Sequence, residues 1–569
     1  MHRLVLVLAL ASAGAFAAPP ASAANLPDLE TVAVSGQQAP GGDPGVNFRG
    51  FDRPVLNAAG QTAFSAFLTG SGVDGGTNNA GIYSEGGGTL AEVVREGRQV
   101  PGANPGVIFG GFDDPLFNAA GQTVFRNDRL TGTGVGSSNN EGIYRESGGT
   151  LAEVVREGQQ VPDADAGVVF SGSSRGLFGF ETFADPMLNS AGHIAFRASV
   201  AGTGVDSTTD NNIGIYREND GTLAQVARAG QQAPGASGDV KFEGFSDPVL
   251  NSAGRTAFVG GLTGSGVTGS NDTGIYSEGG GTLAEVARKG QQAPGAASAV
   301  NFNFFNTPVL NGAGQIAFTA FLRGSSVNSS NDSGIYREAG EALVEVVREG
   351  KSVPDPGTGL KFGDLGSPVL NAAGHIAFRA DLTGPTVDEP DFGGIYRESG
   401  ETLVEVARTG RQAPGADPGV NFGGFGEPVL NAAGQIAFTA FLAGSGVDGS
   451  NDEGIYATDR GGDLLEIVRT GDLFDVNDDP LIEDLRTISF VNLVSGSGGE
   501  DGRRTSFNDL GQLAFQLGFT DGTEGVFVSN IVAIPEPTTA GLLGLGGIVF
   551  LSRRNRRTPD ADEPASHHV

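Results

Sequence analysis

The residues able to do chemistry in this chain are mostly loop carboxylates and amides. Aspartate and asparagine gather at Asp206, Asp210 and Asn211, at Asn271 and Asp272, at Asn331 and Asp332, and at Asp448, Asn451 and Asp452. Hard oxygen donors of this kind suit calcium. The alternation of a calcium loop is nearest in Asp475-Val476-Asn477-Asp478-Asp479, which makes Asp475, Asn477 and Asp479 the candidate ligands. Against that, Pro480 stands where such a loop takes glycine, and Arg486 where a glutamate would close the site. The competing explanation is that Asp and Asn are ordinary turn formers. Beyond this candidate loop no cofactor is expected.

Catalytic constellations are sparse. The histidines are His2, His193, His375, His567 and His568, and the middle two share the slot that Gln61, Gln315 and Gln435 fill after a turn glycine. They read as polar turn-edge residues and not as bases awaiting a nucleophile. The absence of cysteine excludes a thiol nucleophile and a thiolate metal site. The 66 Asp and Glu residues leave room for a glycosidase-type carboxylate pair. Tryptophan is absent, however, and all seven tyrosines occupy one recurring slot, Gly-Ile-Tyr: Tyr83, Tyr144, Tyr216, Tyr276, Tyr336, Tyr396 and Tyr456. A residue repeated once per unit is explained by packing, not by a single active site. The same logic predicts that Arg95, Arg156, Arg228, Arg288, Arg348, Arg408 and Arg469, which end another recurring strand, form ladder or inter-unit ion pairs. Gly86-Gly87-Gly88 and Gly279-Gly280-Gly281 lack a following Lys-Ser/Thr and are hairpin turns, not phosphate loops. No catalytic residue is assigned.

What must position all of these groups is a repeat. The phrase Asn-x-x-Gly-x-x-Ala-Phe occurs eight times, with Asn at 57, 118, 189, 251, 311, 371, 431 and 508, and with Val124 replacing Ala in the second copy. The spacings are 61, 71, 62, 60, 60, 60 and 77 residues. A fixed period of this length announces one supersecondary unit used repeatedly. In the seventh copy, Val420 to Phe425 with Pro428 to Leu430 gives a first strand, and Asn431 to Gly434 a tight turn. Gln435 to Leu442 gives a second strand, apolar on both faces and therefore covered on both sides. Gly454 to Tyr456 and Leu464 to Arg469 supply the third and fourth. Four short antiparallel strands per sixty residues, with no helical period, describe a β-propeller blade.

The ends of the array predict how it closes. Leu29 to Ser35 followed by Gly36-Gln37-Gln38-Ala39-Pro40 matches the fourth-strand phrase later read at Leu283 to Pro294. The eighth copy stops after a third strand at Gly525 to Val528. The N-terminal strand therefore completes the last blade, giving an all-β, eight-bladed propeller of four-stranded blades. The expected organisation is a signal peptide over 1–23, the propeller over 24–534, a sorting or anchor segment with a short hydrophobic helix over 535–557, and a disordered acidic tail over 558–569. Since the turns after the second and fourth strands are the longer and more variable, the face that carries them is the expected interaction face.

Composition bounds the partners. A net charge of -31 repels nucleic acid and anionic membrane. His2 and Arg3, the apolar run to Ala18 and then Ala21-Ser22-Ala23 read as a secretory signal. Near the other end, Pro535-Glu536-Pro537, an apolar run to Leu551 and then Arg553, Arg554, Arg556 and Arg557 resemble the PEP-CTERM sorting signal. That resemblance implies recognition by an exosortase, membrane contact only through this segment, transient anchoring in the inner membrane, and delivery to the cell surface or outside. The strand–turn phrase resembles TolB-like propeller blades, and more closely the bacterial proteins built of tandem Asn-x-x-Gly-x-x-Ala-Phe repeats. It implies an exported location and no established activity. The function expected is an exported scaffold or binding protein, with extracellular polysaccharide or another surface protein as partner. The alternative is a secreted polysaccharide hydrolase or lyase using carboxylates on the long-loop face.

Overall fold

In the computed structural model the described residues are 28–533, apart from 173–181, 206–210, 341, 356, 385–391, 401 and 480. They contain strands and no helix. The expected signal peptide, the Pro-Glu-Pro segment with its arginines and expected hydrophobic helix, and the expected disordered tail lie outside the described residues.

Seven blades follow in chain order from Val46 to Arg469, and the eighth runs from Leu473 to Ser529. In each of the first seven, the first strand is broken in two, because a proline near its middle has no N–H to give to the ladder. In blade 7, Val420–Phe425 pairs with the far half of Ile436–Gly444 and Val429–Leu430 with its near half. Glu453–Thr458 and Leu464–Arg469 complete the sheet. The N-terminal strand Leu29–Val34 lies antiparallel to Glu524–Ser529, from Leu29 opposite Ser529 to Val34 opposite Gly525. It is the outer strand of blade 8, so the ring closes by pairing its two ends.

The repeated phrase is explained by how neighbouring blades meet. Ala257 and Ile275 of blade 4 share one apolar cluster with Phe302, Phe318 and Tyr336 of blade 5. Ala377 and Ile395 of blade 6 do the same with Phe422, Phe438 and Tyr456 of blade 7. Because strand residues alternate faces, Ala-Phe and Ile-Tyr each put a small or aliphatic side chain toward one neighbour and an aromatic ring toward the other. Within blade 7 the Phe422 and Tyr456 rings meet edge to face at 5.0 Å and Phe438 stacks on Tyr456 at 6.3 Å. The glycine two residues before each tyrosine is required by the ring folding back over it. A Cβ on Gly334 would come within 3.0 Å of the Tyr336 ring.

Two expectations need correction. The second strand is not covered on both faces to its end: Phe67, Phe321 and Phe441 are 43%, 38% and 50% exposed. These rings lie over the first strand of their own blade, Phe441 against Gly424 and Phe321 against Phe304, beyond the reach of the next sheet. The fourth-strand arginines, moreover, are chiefly loop clamps. Arg95, Arg156, Arg228, Arg288, Arg348 and Arg469 each donate from Nε to the backbone carbonyl of an asparagine in the loop before the third strand, at 2.8–3.3 Å. Arg408 reaches an inter-blade partner, Asp355, at 3.4 Å, the one such pair made by these seven among the described residues. A recurring inter-blade ion pair instead starts one residue after the tyrosine: Arg145 with Glu218 at 3.0 Å, Arg217 with Glu278 at 2.6 Å and Arg337 with Glu398 at 2.9 Å.

Candidate functional site

The Asn of the repeated phrase does more than make a turn. In each turn its Oδ1 accepts the N–H four residues on, as Asn251 does from Arg255 at 2.9 Å. Its Nδ2 donates outward, to the main-chain carbonyl of the corresponding Asn in the next blade. Asn57 donates to Asn118, Asn118 to Asn189, Asn189 to Asn251, Asn251 to Asn311, Asn311 to Asn371, Asn371 to Asn431, Asn431 to Asn508 and Asn508 back to Asn57, at 2.9–3.2 Å. The eight residues are 0–4% exposed. A closed belt of buried amides thus joins all eight blades on the face carrying the Asn turns.

Inside this belt the inner edges of the blades would leave backbone N–H groups without partners. Residues 493–507, the excursion that supplies most of the added length in the last repeat spacing of 77, fill that space as an axial plug. The plug's carbonyls accept from Leu56 (Thr505 O, 2.8 Å), Leu188 (Gly502 O, 2.9 Å), Leu250 (Asp501 O, 2.8 Å) and Leu430 (Gly496 O, 3.1 Å). Its side chains take two more: Ser497 Oγ from Leu370 N at 3.1 Å and Glu500 Oε2 from Gly312 N at 3.0 Å. Arg504 pairs with Asp114 of blade 2 at 2.6 Å. One loop of blade 8 therefore holds each of the other seven. Asp501 is fully buried and ion-paired to Arg503 at 3.3 Å. Burial pushes Glu500 above the usual carboxylate range, the Gly312 N–H offsetting part of that, and Asp509 and Asp501 add to it.

Cavities open on both faces of the described ring. One, of about 210 Å³, lies in the mouth of the belt between the plug and the Asn turns of blades 1 to 4, with Glu500, Arg503, Ser190 and Ser252 in its wall. A second, of about 490 Å³, lies on the long-loop face between blades 5 and 6, and Arg348, Lys351, Lys361 and Glu349 line it. Glu349 is 5% exposed and accepts N–H bonds from Asp332 at 3.0 Å and Ser333 at 3.3 Å. Burial first, and the facing Asp332 second, push its carboxyl up to about 7.

The predicted calcium residues sit on the hairpin that opens blade 8. Asp475 Oδ1 accepts from Asn477 N at 3.1 Å and Asp484 N at 2.9 Å, Asn477 Oδ1 from Asp479 N at 2.9 Å, and Asp479 Oδ1 from Leu481 N at 3.0 Å. Those oxygens cap successive turns, and Asp478 turns away to the N-terminal strand, accepting from Thr31 N at 3.0 Å. Among the described residues no three His, Cys, Asp or Glu side chains are grouped to hold a metal ion. His193 and His375 lie in the Asn turns, their N–H groups held by Asn189 and Asn371 at 2.9 Å.

Comparison with protein families places this architecture. The Family of unknown function (DUF7453) matches over residues 23–161, 127–396 and 378–541. The chain belongs to this family. Residues 533–557 match the PEP-CTERM protein-sorting motif, which implies export and exosortase-dependent sorting toward the cell surface. No curated protein matches the chain. Among solved structures it is similar to the β-propeller domain of the trilobed protease from Pyrococcus furiosus, at 9% identity and TM-score 0.37 over 75% of this chain and 99% of that one. Puromycin hydrolase is matched at 12% identity and TM-score 0.36 over 82% of this chain and 58% of that one. The Dos1 propeller is matched at 8% identity and TM-score 0.34, over 85% and 93%.

Proposed function

We propose that this member of the family is an exported cell-surface or matrix protein whose propeller is a non-catalytic scaffold and binding platform. The observation that carries the reading is the equivalence of the blades around a filled axis. The residues repeated in every blade are spent on the belt, the aromatic interfaces and the loop clamps, and the axial space where a propeller could hold a substrate is occupied by residues 493–507. The sorting motif supplies the address. Under this reading the Pro-Glu-Pro segment with Arg553, Arg554, Arg556 and Arg557 anchors the chain in the inner membrane until exosortase acts on it. The long-loop face then remains free for polysaccharide or another surface protein. The tandem Asn-x-x-Gly phrase, with its TolB-like blade pattern, is the device that builds this platform.

The test is fractionation of cells producing tagged protein with and without the segment after Ile534. Sorting predicts that the full chain reaches the surface with a shortened C-terminus, whereas the truncated chain stays periplasmic or is released directly. Equal release of both at one mature size refutes the sorting part. Release of reducing ends or unsaturated sugars from acidic polysaccharides by the purified protein refutes the non-catalytic part.

A further inference from the structure

The six junctions among blades 1 to 7 are built from the same slots, so each serves as a control for the others. At the long-loop end of each of these junctions four positions converge: the fourth-strand Arg, the residue three after it, the start of the next first strand, and its cross-strand partner. Between blades 5 and 6 these are Arg348, Lys351, Lys361 and Thr383, with Lys361 directly opposite Thr383 in register. Elsewhere the set is less basic. It is Arg156, Gln159, Val169 and Ala201 between blades 2 and 3, and Arg288, Gln291, Asn301 and Arg323 between blades 4 and 5. Between blades 6 and 7 it is Arg408, Arg411, Asn421 and Ala443, and there both arginines are already paired with Asp355, at 3.4 and 3.1 Å.

Three cations therefore meet at one junction, in a chain that has only four lysines and a net charge of -31. Their partners leave them available in different degrees. Arg348 gives Nε to Asn331 O at 3.3 Å, which orients the guanidinium along the cavity wall. Lys351 is ion-paired through Nζ to the buried Glu345, while 58% of its side chain stays exposed to a ligand. Lys361 is exposed and has no ion-pair or hydrogen-bond partner for its side chain among the described residues. Ser330, Asn331 and Thr383 add hydroxyl and amide groups to the same wall. The one carboxyl in the lining, Glu349, directs an oxygen to the N–H groups of Asp332 and Ser333.

We propose that this cavity is an oxyanion-binding site, taking a carboxylate or sulfate group on Arg348, Lys351 and Lys361 and neighbouring hydroxyls of the same ligand on Ser330, Asn331 and Thr383. A guanidinium beside two ammonium groups matches the charge and geometry of a small oxyanion. About 490 Å³ accommodates a sugar-sized ligand. The site goes beyond the scaffold reading and is independent of how the tail is sorted.

The experiment is calorimetric titration of the purified protein at fixed ionic strength with sodium glucuronate, glucose and sodium sulfate. Lys361→Ala is the test variant, and Lys241→Ala, the same slot at the junction of blades 3 and 4, is the control. Removal of one charge-assisted contact is expected to weaken binding about tenfold or more in Lys361→Ala, with no change in Lys241→Ala. Because Lys361 is exposed, the variant retains the fold, which its thermal midpoint checks. Glucuronate binding with this pattern identifies an acidic sugar, and sulfate binding alone identifies a free oxyanion. The proposal is overturned if neither anion saturates, if glucose binds as well as glucuronate, or if the two lysine variants are equally impaired.

Discussion

The belt of asparagines makes a sharp prediction at Asn251. Its side chain is fully buried and makes three bonds: Nδ2 to Asn311 O at 3.0 Å, and Oδ1 from Ala253 N at 3.1 Å and Arg255 N at 2.9 Å. Asn251→Ala removes all three and orphans two turn N–H groups. At about 1 kcal/mol net for each bond, the loss is about 3 kcal/mol. Asn251→Asp separates the two roles. The carboxylate keeps both accepted bonds, but it sets an acceptor against the carbonyl of Asn311, so the inter-blade bond turns repulsive. Protonating that carboxyl restores a donor, and the Asp variant should therefore recover toward wild type as pH falls below its titration.

Urea unfolding followed by tyrosine emission is a clean assay, since the chain has seven tyrosines and no tryptophan and all seven lie in the blade interfaces. The exposed neighbour gives the control: Ser252→Ala should stay within about 0.5 kcal/mol of wild type. A loss below about 0.5 kcal/mol for Asn251→Ala would refute the belt as a source of stability. An Asp variant as stable at neutral pH as wild type would refute the direction of the inter-blade bond.

Four further outcomes are expected. Replacing residues 495–504 with a short Gly-Ser turn uncovers the inner-edge N–H groups of Leu188, Leu250 and Leu430, and should lower the thermal midpoint and speed proteolysis of every blade, not only the eighth. Gly334→Ala drives a Cβ to 3.0 Å from the Tyr336 ring, costing about 1–3 kcal/mol, and combining it with Tyr336→Leu should show a favourable coupling in a double-mutant cycle. Deleting residues 24–35 exposes the edge of Glu524–Ser529, and sedimentation should show self-association that a peptide spanning 28–36 reverses. Glu349 is pushed up to about 7, so the fold favours its protonated form and loses that stability as pH rises from about 4.5 toward 7; Glu349→Gln should therefore gain in thermal midpoint over wild type between pH 5 and pH 8.

The blade and the ring were legible because both depend on sequence-local signals. Alternation in Ile-Ala-Phe, turn chemistry at Asn-x-x-Gly and the strand phrase at Leu29 each follow from residues within a few positions of one another. The belt was not legible in the same way. An asparagine in a turn accounts for its own Oδ1, and nothing within one copy says where Nδ2 goes; only the curvature of a closed ring brings the next carbonyl within 3.0 Å. The fourth-strand arginines misled for a related reason. A charge at a strand end suggests a charged partner, whereas the loop folds an asparagine carbonyl onto it, and a carbonyl leaves no trace in the sequence.

The plug left a trace in spacing alone. The interval of 77 residues before Asn508 exceeds its neighbours, and the Gly-rich stretch that supplies most of the excess has no strand pattern to locate it. Its position follows from a requirement of the whole ring. Eight inner strands around one axis present backbone donors that no blade can satisfy for itself, and a segment able to satisfy them must approach several blades at once. Glycines at 496, 498, 499 and 502 permit that approach: a Cβ on Gly498 would lie 2.7 Å from Leu430 O and one on Gly502 2.9 Å from Leu250 O. The same argument separates structure from function in this protein. Slots that recur in every blade answer to the ring, and the junction where variable slots combine, with Lys351 and Lys361 beside Arg348, is where a ligand has something to recognise.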